Sequence, residues 1–472
     1  MAIALFGLGS HAQRATVTDD QRSLSIYEIM VGSYQHDPAG TPGYTQMWGP
    51  DGERKNGNLR GIINALDHIA SLNVNAIWLT PVFDSTKALG GEKLNATGYF
   101  TNDYFKIDPN FGTEADFREL VDKAHERGLY VILDGVFGHH GGVTTASPSG
   151  HRLDVTQAPN WREPQGGNVR MPGSLDYITE VATYWIDKYG VDGWRLDQAY
   201  QLLQDSTNYW TPVRRAVEDL AAKRKAAGEK WGTLGFMVGE DWGTADVINN
   251  GVYKKGGLLS AFDFDGKERI SGPAQKLTSE GLANGWDDVI YVLREPRERG
   301  YLTDSVAPTL FLTNHDTYRL ADHFDPADPH FYEKQMARFA ILAAYGGPIQ
   351  LYYGDEYADR SVHTTGGAPD NIARTSGHLE PRNSDEAALA EYLSRAMKFR
   401  RDNPAMWRGK ASFVKQKVAD ANTLTVRKKD EQTGNEVLIV FSDQDTTVPV
   451  RGLGGVDVDA WRPEFVVVKP AK

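Results

Sequence analysis

The strongest constraint on the fold is an alternation that runs from about residue 25 to residue 400. A segment with helical apolar spacing is followed by a turn residue, then by an apolar run too short for a helix. Leu59, Ile62, Ile63, Leu66 and Ile69 form one stripe, and VNAIWLTP (Val74 to Pro81) follows it. Thr113, with Asp116 three residues on, reads as the cap of the next helix, whose stripe is Phe117, Leu120, Val121 and Ala124. Gly128 stops that helix and LYVILD follows. Leu175, Ile178, Val181, Ala182, Trp185 and Ile186 lead into VDGWRLDQAY, and Thr211-Pro212 open a helix that runs towards FMVGED. A stripe from Tyr332 to Ala343 precedes GGPIQLYYGDE. Buried runs that each follow a helix imply a parallel sheet covered on both faces. With SIYEIMV, LLSAFDF and PTLFLTN the count reaches about eight, which favours a closed (β/α)8 TIM barrel over an open sheet.

Two stretches break the rhythm. Residues 138–173 lack a period and are rich in Gly, Pro, Ser and His, as expected of a short irregular subdomain inserted after the third strand. Beyond Pro404 the pattern turns to period two in TLTVRK, EVLIVFS and EFVVVK, which predicts a C-terminal antiparallel β domain, a small sandwich, over 404–472. The barrel then occupies 25–403, behind an N-terminal segment of residues 1–24.

Composition narrows the functional classes. The net charge of −12 argues against a nucleic-acid partner and fits a neutral substrate. The absence of cysteine excludes disulfides and thiolate zinc sites. No apolar run reaches the roughly 20 residues that span a bilayer, so no membrane partner is expected. MAIALFGLGSHAQRA has an apolar block and small residues but no basic start; it reads either as a trimmed signal peptide or as a loose terminus, and a secreted or periplasmic location is the expectation. Nothing in the composition fixes an oligomeric state.

Charges recur where the predicted strands end. VDGWRLDQAY closes with Arg195 and Asp197, which share one face of a strand because side chains alternate. Asp134 ends the third strand with His139 just beyond, Glu240 ends the fifth, and His315-Asp316 follow the seventh. Singly, Asp197 reads as half of an ion pair, Glu240 as a helix N-terminal residue and Asp316 as a cap. Together they converge at one end of a barrel, where the strand ends surround a shared cavity. Arg195 beside Asp197 is expected to keep that carboxylate ionised.

DGVFGH (134–139), GWRLD (193–197), GED (239–241) and TNHD (313–316), in this order and on these strand ends, resemble the motifs of the α-amylase family of glycoside hydrolases. GYFTNDYFKIDPNFGT from Gly98 and GGPIQLYYGDE from Gly346 support the resemblance, which covers about residues 25 to 400. It implies a retaining α-glucan hydrolase that needs no cofactor for its chemistry. Asp197 is similar to the nucleophile, Glu240 to the general acid and base, and Asp316 to the third carboxylate, which grips sugar hydroxyls. His139, Arg195 and His315 would contact the same sugar, Tyr99 would stack beneath it, and Asp134 would bind the sugar or lie just behind the site and orient it. Tyr200 and Trp242 follow catalytic strands as candidate platforms for sugars beyond the cleaved bond, with core packing the alternative for each. His140 reads as solvated or structural, and Glu356 as structural. The resemblance also leaves open a transglycosylase or a non-catalytic carbohydrate-binding subunit, although retention of all three carboxylates speaks against the latter. Two departures stand out. Gly138 replaces an Asn that in many members ligates a structural calcium, and Tyr200 and Gln201 replace a Lys and a His after the nucleophile. No metal ligand is therefore assigned, and a structural calcium stays an open question.

Overall fold

Eight strands pair in parallel in the computed structural model, which describes residues 17–45, 56–89, 91–156, 167–302, 305–361 and 373–471. In chain order they are β1 (Ser25–Ile29), β2 (Ala76–Leu79), β3 (Tyr130–Gly135), β4 (Gly193–Leu196), β5 (Phe236–Gly239), β6 (Ser260–Ala261), β7 (Leu310–Phe311) and β8 (Ile349–Tyr352). Successive strands from β1 to β6 are neighbours, β7 pairs with β8, and β8 pairs with β1. One parallel bridge, Phe262 to Thr309, joins β6 to β7 and closes the circle. The outer layer contains α1 (Leu59–Ser71), α2 (Glu114–Glu126), α3 (Leu175–Tyr189), α4 (Trp210–Ala226), α5 (Ala245–Asn250), α6 (Phe264–Ser271), α7 (Trp286–Leu293), α8 (Phe331–Ala344) and α9 (Ser384–Asp402).

Local chemistry sets these elements. Thr113 and Asp116 form the expected reciprocal cap of α2. α3 buries Ile178, Val181, Trp185 and Ile186 on one face, each worth about 1.5–3 kcal/mol of apolar transfer. Gly190 then takes a left-handed conformation (φ 75) that ends the helix and returns the chain into β4.

Alternation along the strands sorts residues between two cores. Ile26, Trp78, Ile132, Phe236, Val238, Phe262 and Phe311 pack in one cluster. Side chains from strands on opposite sides of the barrel can meet only in its lumen. Their sequence neighbours Tyr27, Ile77, Leu133 and Met237 belong to the larger core under the helices. By the same alternation Glu28, Asp134 and Arg195 face inward, above the apolar plug.

Beyond β3, the described part of the inserted segment is a two-residue antiparallel pair, His139–His140 with Gly167–Asn168, and a bridge from Val155 to Val169; residues 157–166 lie outside the described set. The C-terminal region forms an antiparallel sheet of β9 (Lys410–Val418), β10 (Ala421–Lys429), β11 (Glu436–Ser442) and β14 (Glu464–Lys469). The hairpin β12 (Thr446–Val450) and β13 (Gly454–Val458) covers part of that sheet through Val448, Val450 and Val458 against Leu438 and Val440. β9 escapes a reading by apolar pattern because Lys415, Gln416 and Lys417 dilute it. At the other end, the signal-peptide reading falls on residues 1–16, outside the described set. Residues 17–24 pack under the barrel, with Leu24 in its apolar plug. No helix among the described residues is long and apolar enough to cross a membrane.

Candidate active site

Arg195 organises the C-terminal end of the barrel. Fully buried, it donates from Nη1 to both oxygens of Asp134 (3.0 and 3.1 Å) and to Asp197 Oδ1 (2.8 Å). Its Nη2 lies 3.0 Å from Glu240 Oε2, an ion pair not aligned as a hydrogen bond. One cation thus holds carboxylates from β3 and from the ends of β4 and β5, which answers the cost of burying Arg195 and Asp197 on the same face.

Asp134 is 0% exposed, and Tyr99 Oη (2.7 Å) and Trp78 Nε1 (3.2 Å) donate to it besides Arg195. With these donors around it, Asp134 is placed to orient Arg195 and Tyr99. Tyr99, fixed by that bond, stacks on His315 at 5.2 Å with the planes 17° apart.

His315 sits between two carboxylates, with Nδ1 2.6 Å from Glu28 Oε1 and Nε2 3.1 Å from Asp316 Oδ2. Burial works against a charged ring, but Asp316 and Glu28 outweigh it and push His315 up to about 10. In return, His315, Arg374 and Arg195 overcome burial and hold Asp316 well below the usual carboxylate range. Arg374 Nη2 donates to Asp316 Oδ1 at 2.7 Å.

Asp197 departs from the expectation that Arg195 keeps it ionised. Burial pushes it up to about 8; Arg195 opposes this, and the charge of Glu240 adds to it. Gln198, directly after Asp197, adopts a left-handed conformation (φ 40) that is uncommon for a side chain of its size. Its N–H donates to Glu240 Oε2 at 2.9 Å, which ties the two carboxylate loops together. Trp242 Nε1 donates to Glu240 Oε1 at 2.9 Å, and its ring, 39% exposed, stacks on Phe264 at 4.3 Å. Tyr200, half-buried, donates to Gln198 Oε1. Both aromatic residues therefore flank the carboxylates without belonging to the core.

His139 lies beside the carboxylates, with Nδ1 3.9 Å from Asp197 Oδ2, and its ring nitrogens face Gln201 Oε1 (3.1 Å) and the Tyr99 carbonyl (3.0 Å). His140 is buried, with Nε2 3.2 Å from the Thr156 carbonyl and Nδ1 accepting from Gly142 N–H, a structural pin rather than a solvated residue. Glu356 is structural as well: Tyr27 Oη and Gly354 N–H donate to it, and His68 Nε2 lies 3.1 Å away.

The residues at the expected calcium position do not fit that ion. A Cβ at Gly138 would lie 2.1 Å from Gln201 Oε1, so the space of the missing Asn side chain is filled by Gln201. The Gln201 carbonyl accepts from Gln204 Nε2 (2.9 Å), which also donates to the Val169 carbonyl, while Gln204 Oε1 accepts from Met171 N–H. Asp154, in the inserted segment, is paired with Arg170. Among the described residues no group of three or more His, Asp or Glu is placed to hold a metal.

Glu28 and Arg374 were not singled out from the sequence. Glu28 left a signal, a charge inside the apolar run SIYEIMV; Arg374 left none, since it reaches Asp316 from a segment without periodic pattern.

A family model described as the α-amylase catalytic domain matches residues 33–162 and 167–440. A cyclomaltodextrinase from Bacillus sp is 27% identical over 457 residues, covering 90% of this chain and 72% of the relative. A maltogenic α-amylase from Bacillus acidopullulyticus is 25% identical over 448 residues, covering 89% and 68%. The crystal structure of AmyP in complex with maltose superposes with a TM-score of 0.80 at 31% identity, covering 96% of this chain and 97% of that one. The motifs, the strand ends that carry them and these matches agree: the chain belongs to the α-amylase family of glycoside hydrolases.

Proposed function

We propose that the protein hydrolyses α-1,4-glucosidic bonds with retention, and that short linear or cyclic maltooligosaccharides compete well with polymeric starch. The observation that carries the reading is Arg195 bridging Asp197 and Glu240 while His315 and Arg374 keep Asp316 charged. Asp197 attacks the anomeric carbon as Glu240 gives its proton to the departing glycosidic oxygen, which breaks the C–O bond and leaves a glycosyl ester. Glu240 then takes a proton from water, which attacks the same carbon and releases Asp197. The growing positive charge on the sugar favours the ionised form of Asp197. Asp316, charged throughout, grips hydroxyls of the distorted sugar.

Beyond the cleaved bond, Tyr200 and Trp242 offer aromatic faces that stack on glucose without demanding particular hydroxyl positions. Gln198 follows the nucleophile, where relatives that prefer α-1,6 bonds carry Val. The inserted segment holds to the barrel through Gln201 and Gln204 rather than through calcium. Initial rates on maltotetraose, isomaltotetraose, a cyclodextrin and soluble starch test the reading. Faster cleavage of isomaltotetraose than of maltotetraose would overturn the linkage, and a strong preference for starch over every short substrate would overturn the size preference.

A further inference from the structure

A cavity of about 490 Å³ opens between α7, with the loop before it, and the C-terminal sheet. None of its lining residues belongs to the carboxylate site. Its volume lies within the roughly 300–1,000 Å³ usual for small-molecule sites, and domain junctions are a frequent place for them. Two indoles form its apolar part. Trp286 is largely buried, with Nε1 donating to the Asn422 carbonyl (3.0 Å), and Trp461 stands half-buried 5.4 Å from it.

Trp461 occupies this place at a cost. Its φ of 60 is a genuine outlier for a bulky side chain, held by its N–H bond to the Ser442 carbonyl (2.9 Å). Around the indoles the charges cancel: Glu280, Asp287 and Asp443 stand against Arg338, Lys415 and Lys417. Asp287 and Lys415 already pair at 2.7 Å. Such a rim offers no net attraction to an ion, while Asn284 and Asn422, whose amides donate to Asp288 and Asp443, keep side-chain oxygens that can accept from neutral hydroxyl groups.

A half-exposed indole beside a charge-balanced, hydrogen-bonding rim matches one ligand chemistry, a neutral pyranose with an apolar C–H face and polar edges. We infer that the cavity lined by Trp461 and Trp286 is a second carbohydrate-binding site, which holds a segment of α-glucan away from the cleavage site. The choice of α-glucan rests on the proposed function.

The test compares wild type with Trp461→Ala and Trp461→Phe, each checked for folding by circular dichroism and melting. Adsorption to insoluble starch and turnover of maltotetraose are measured side by side. Adsorption should weaken about tenfold in Trp461→Ala, the equivalent of about 1.4 kcal/mol. In Trp461→Phe, which keeps a smaller ring, it should weaken about threefold. Maltotetraose turnover should stay within about twofold of wild type in both, since the cavity is separate from the carboxylates. Wild-type adsorption by the folded variants, or no adsorption by wild type, overturns the site; if Trp461→Ala does not fold, Trp461→Phe decides. Wild type that adsorbs to starch yet cleaves no maltooligosaccharide overturns the proposed function instead.

Discussion

Gly138→Ala tests the glutamine clamp with a single added methyl group. The backbone at Gly138 is outside the left-handed region, so alanine brings no backbone strain there. The new Cβ would meet Gln201 Oε1 at 2.1 Å, Gln201 Cβ at 2.4 Å and Gln201 Cδ at 2.8 Å, all closer than atoms can approach. Rotation of the side chain cannot move Gln201 Cβ, so relief requires a backbone shift at Gln201 as well, which breaks its contacts with His139 Nδ1 (3.1 Å) and Gln198 Oε1 (3.2 Å). Overpacking costs about 1–3 kcal/mol, and two lost hydrogen bonds add about 1 kcal/mol each, so a destabilisation of about 3–5 kcal/mol is expected. Replacing Gln201 with glycine removes the three atoms nearest to the new Cβ. Gly138→Ala should therefore cost less than about 1 kcal/mol in a Gln201→Gly background, although Gln201→Gly itself is destabilising. Urea unfolding of the four proteins, followed by circular dichroism, gives the coupling directly. If Gly138→Ala is within about 0.5 kcal/mol of wild type, or equally costly in both backgrounds, the account of Gly138 is wrong.

Asp197→Asn, Glu240→Gln and Asp316→Asn should fold and lose on the order of 10³-fold or more in turnover. An aryl glycoside with a good leaving group should partly spare Glu240→Gln; near-wild-type turnover of maltotetraose by Asp197→Asn would falsify the nucleophile assignment. The folded value of about 10 for His315 lies above its ordinary 6.5, so its contribution to stability is full below about 6.5 and is lost as pH rises through 10. Wild type should accordingly lose stability relative to His315→Gln across that window, and parallel stability curves would count against the buried imidazolium. Chelator should leave activity and melting temperature nearly unchanged, whereas a drop of many degrees restored by calcium would show that other oxygens rebuild a metal site.

The order of helices and buried strands, the caps and the positions of the three carboxylates were legible in the chain because each depends on local spacing. Helical stripes report one buried face, apolar runs report strands buried on both, and a charge at the end of such a run must have a buried partner. The pair Arg195 and Asp197 announced a site in this way, and Glu28 carried the same signal inside SIYEIMV. What those charges meet is a property of the closed barrel. Only the pairing of β8 with both β7 and β1 brings Glu28 on β1 against His315 beyond β7. Arg374 reaches Asp316 from a segment without periodicity, and Gln201 fills the space left by Gly138. The upward push on Asp197 followed the same logic: sequence placed a cation beside it, but burial, with the charge of Glu240 adding to it, outweighed that neighbour. Periodicity along a chain records which residues leave water; the distances between charges from different strands, and the dielectric around them, exist only once the strands have converged.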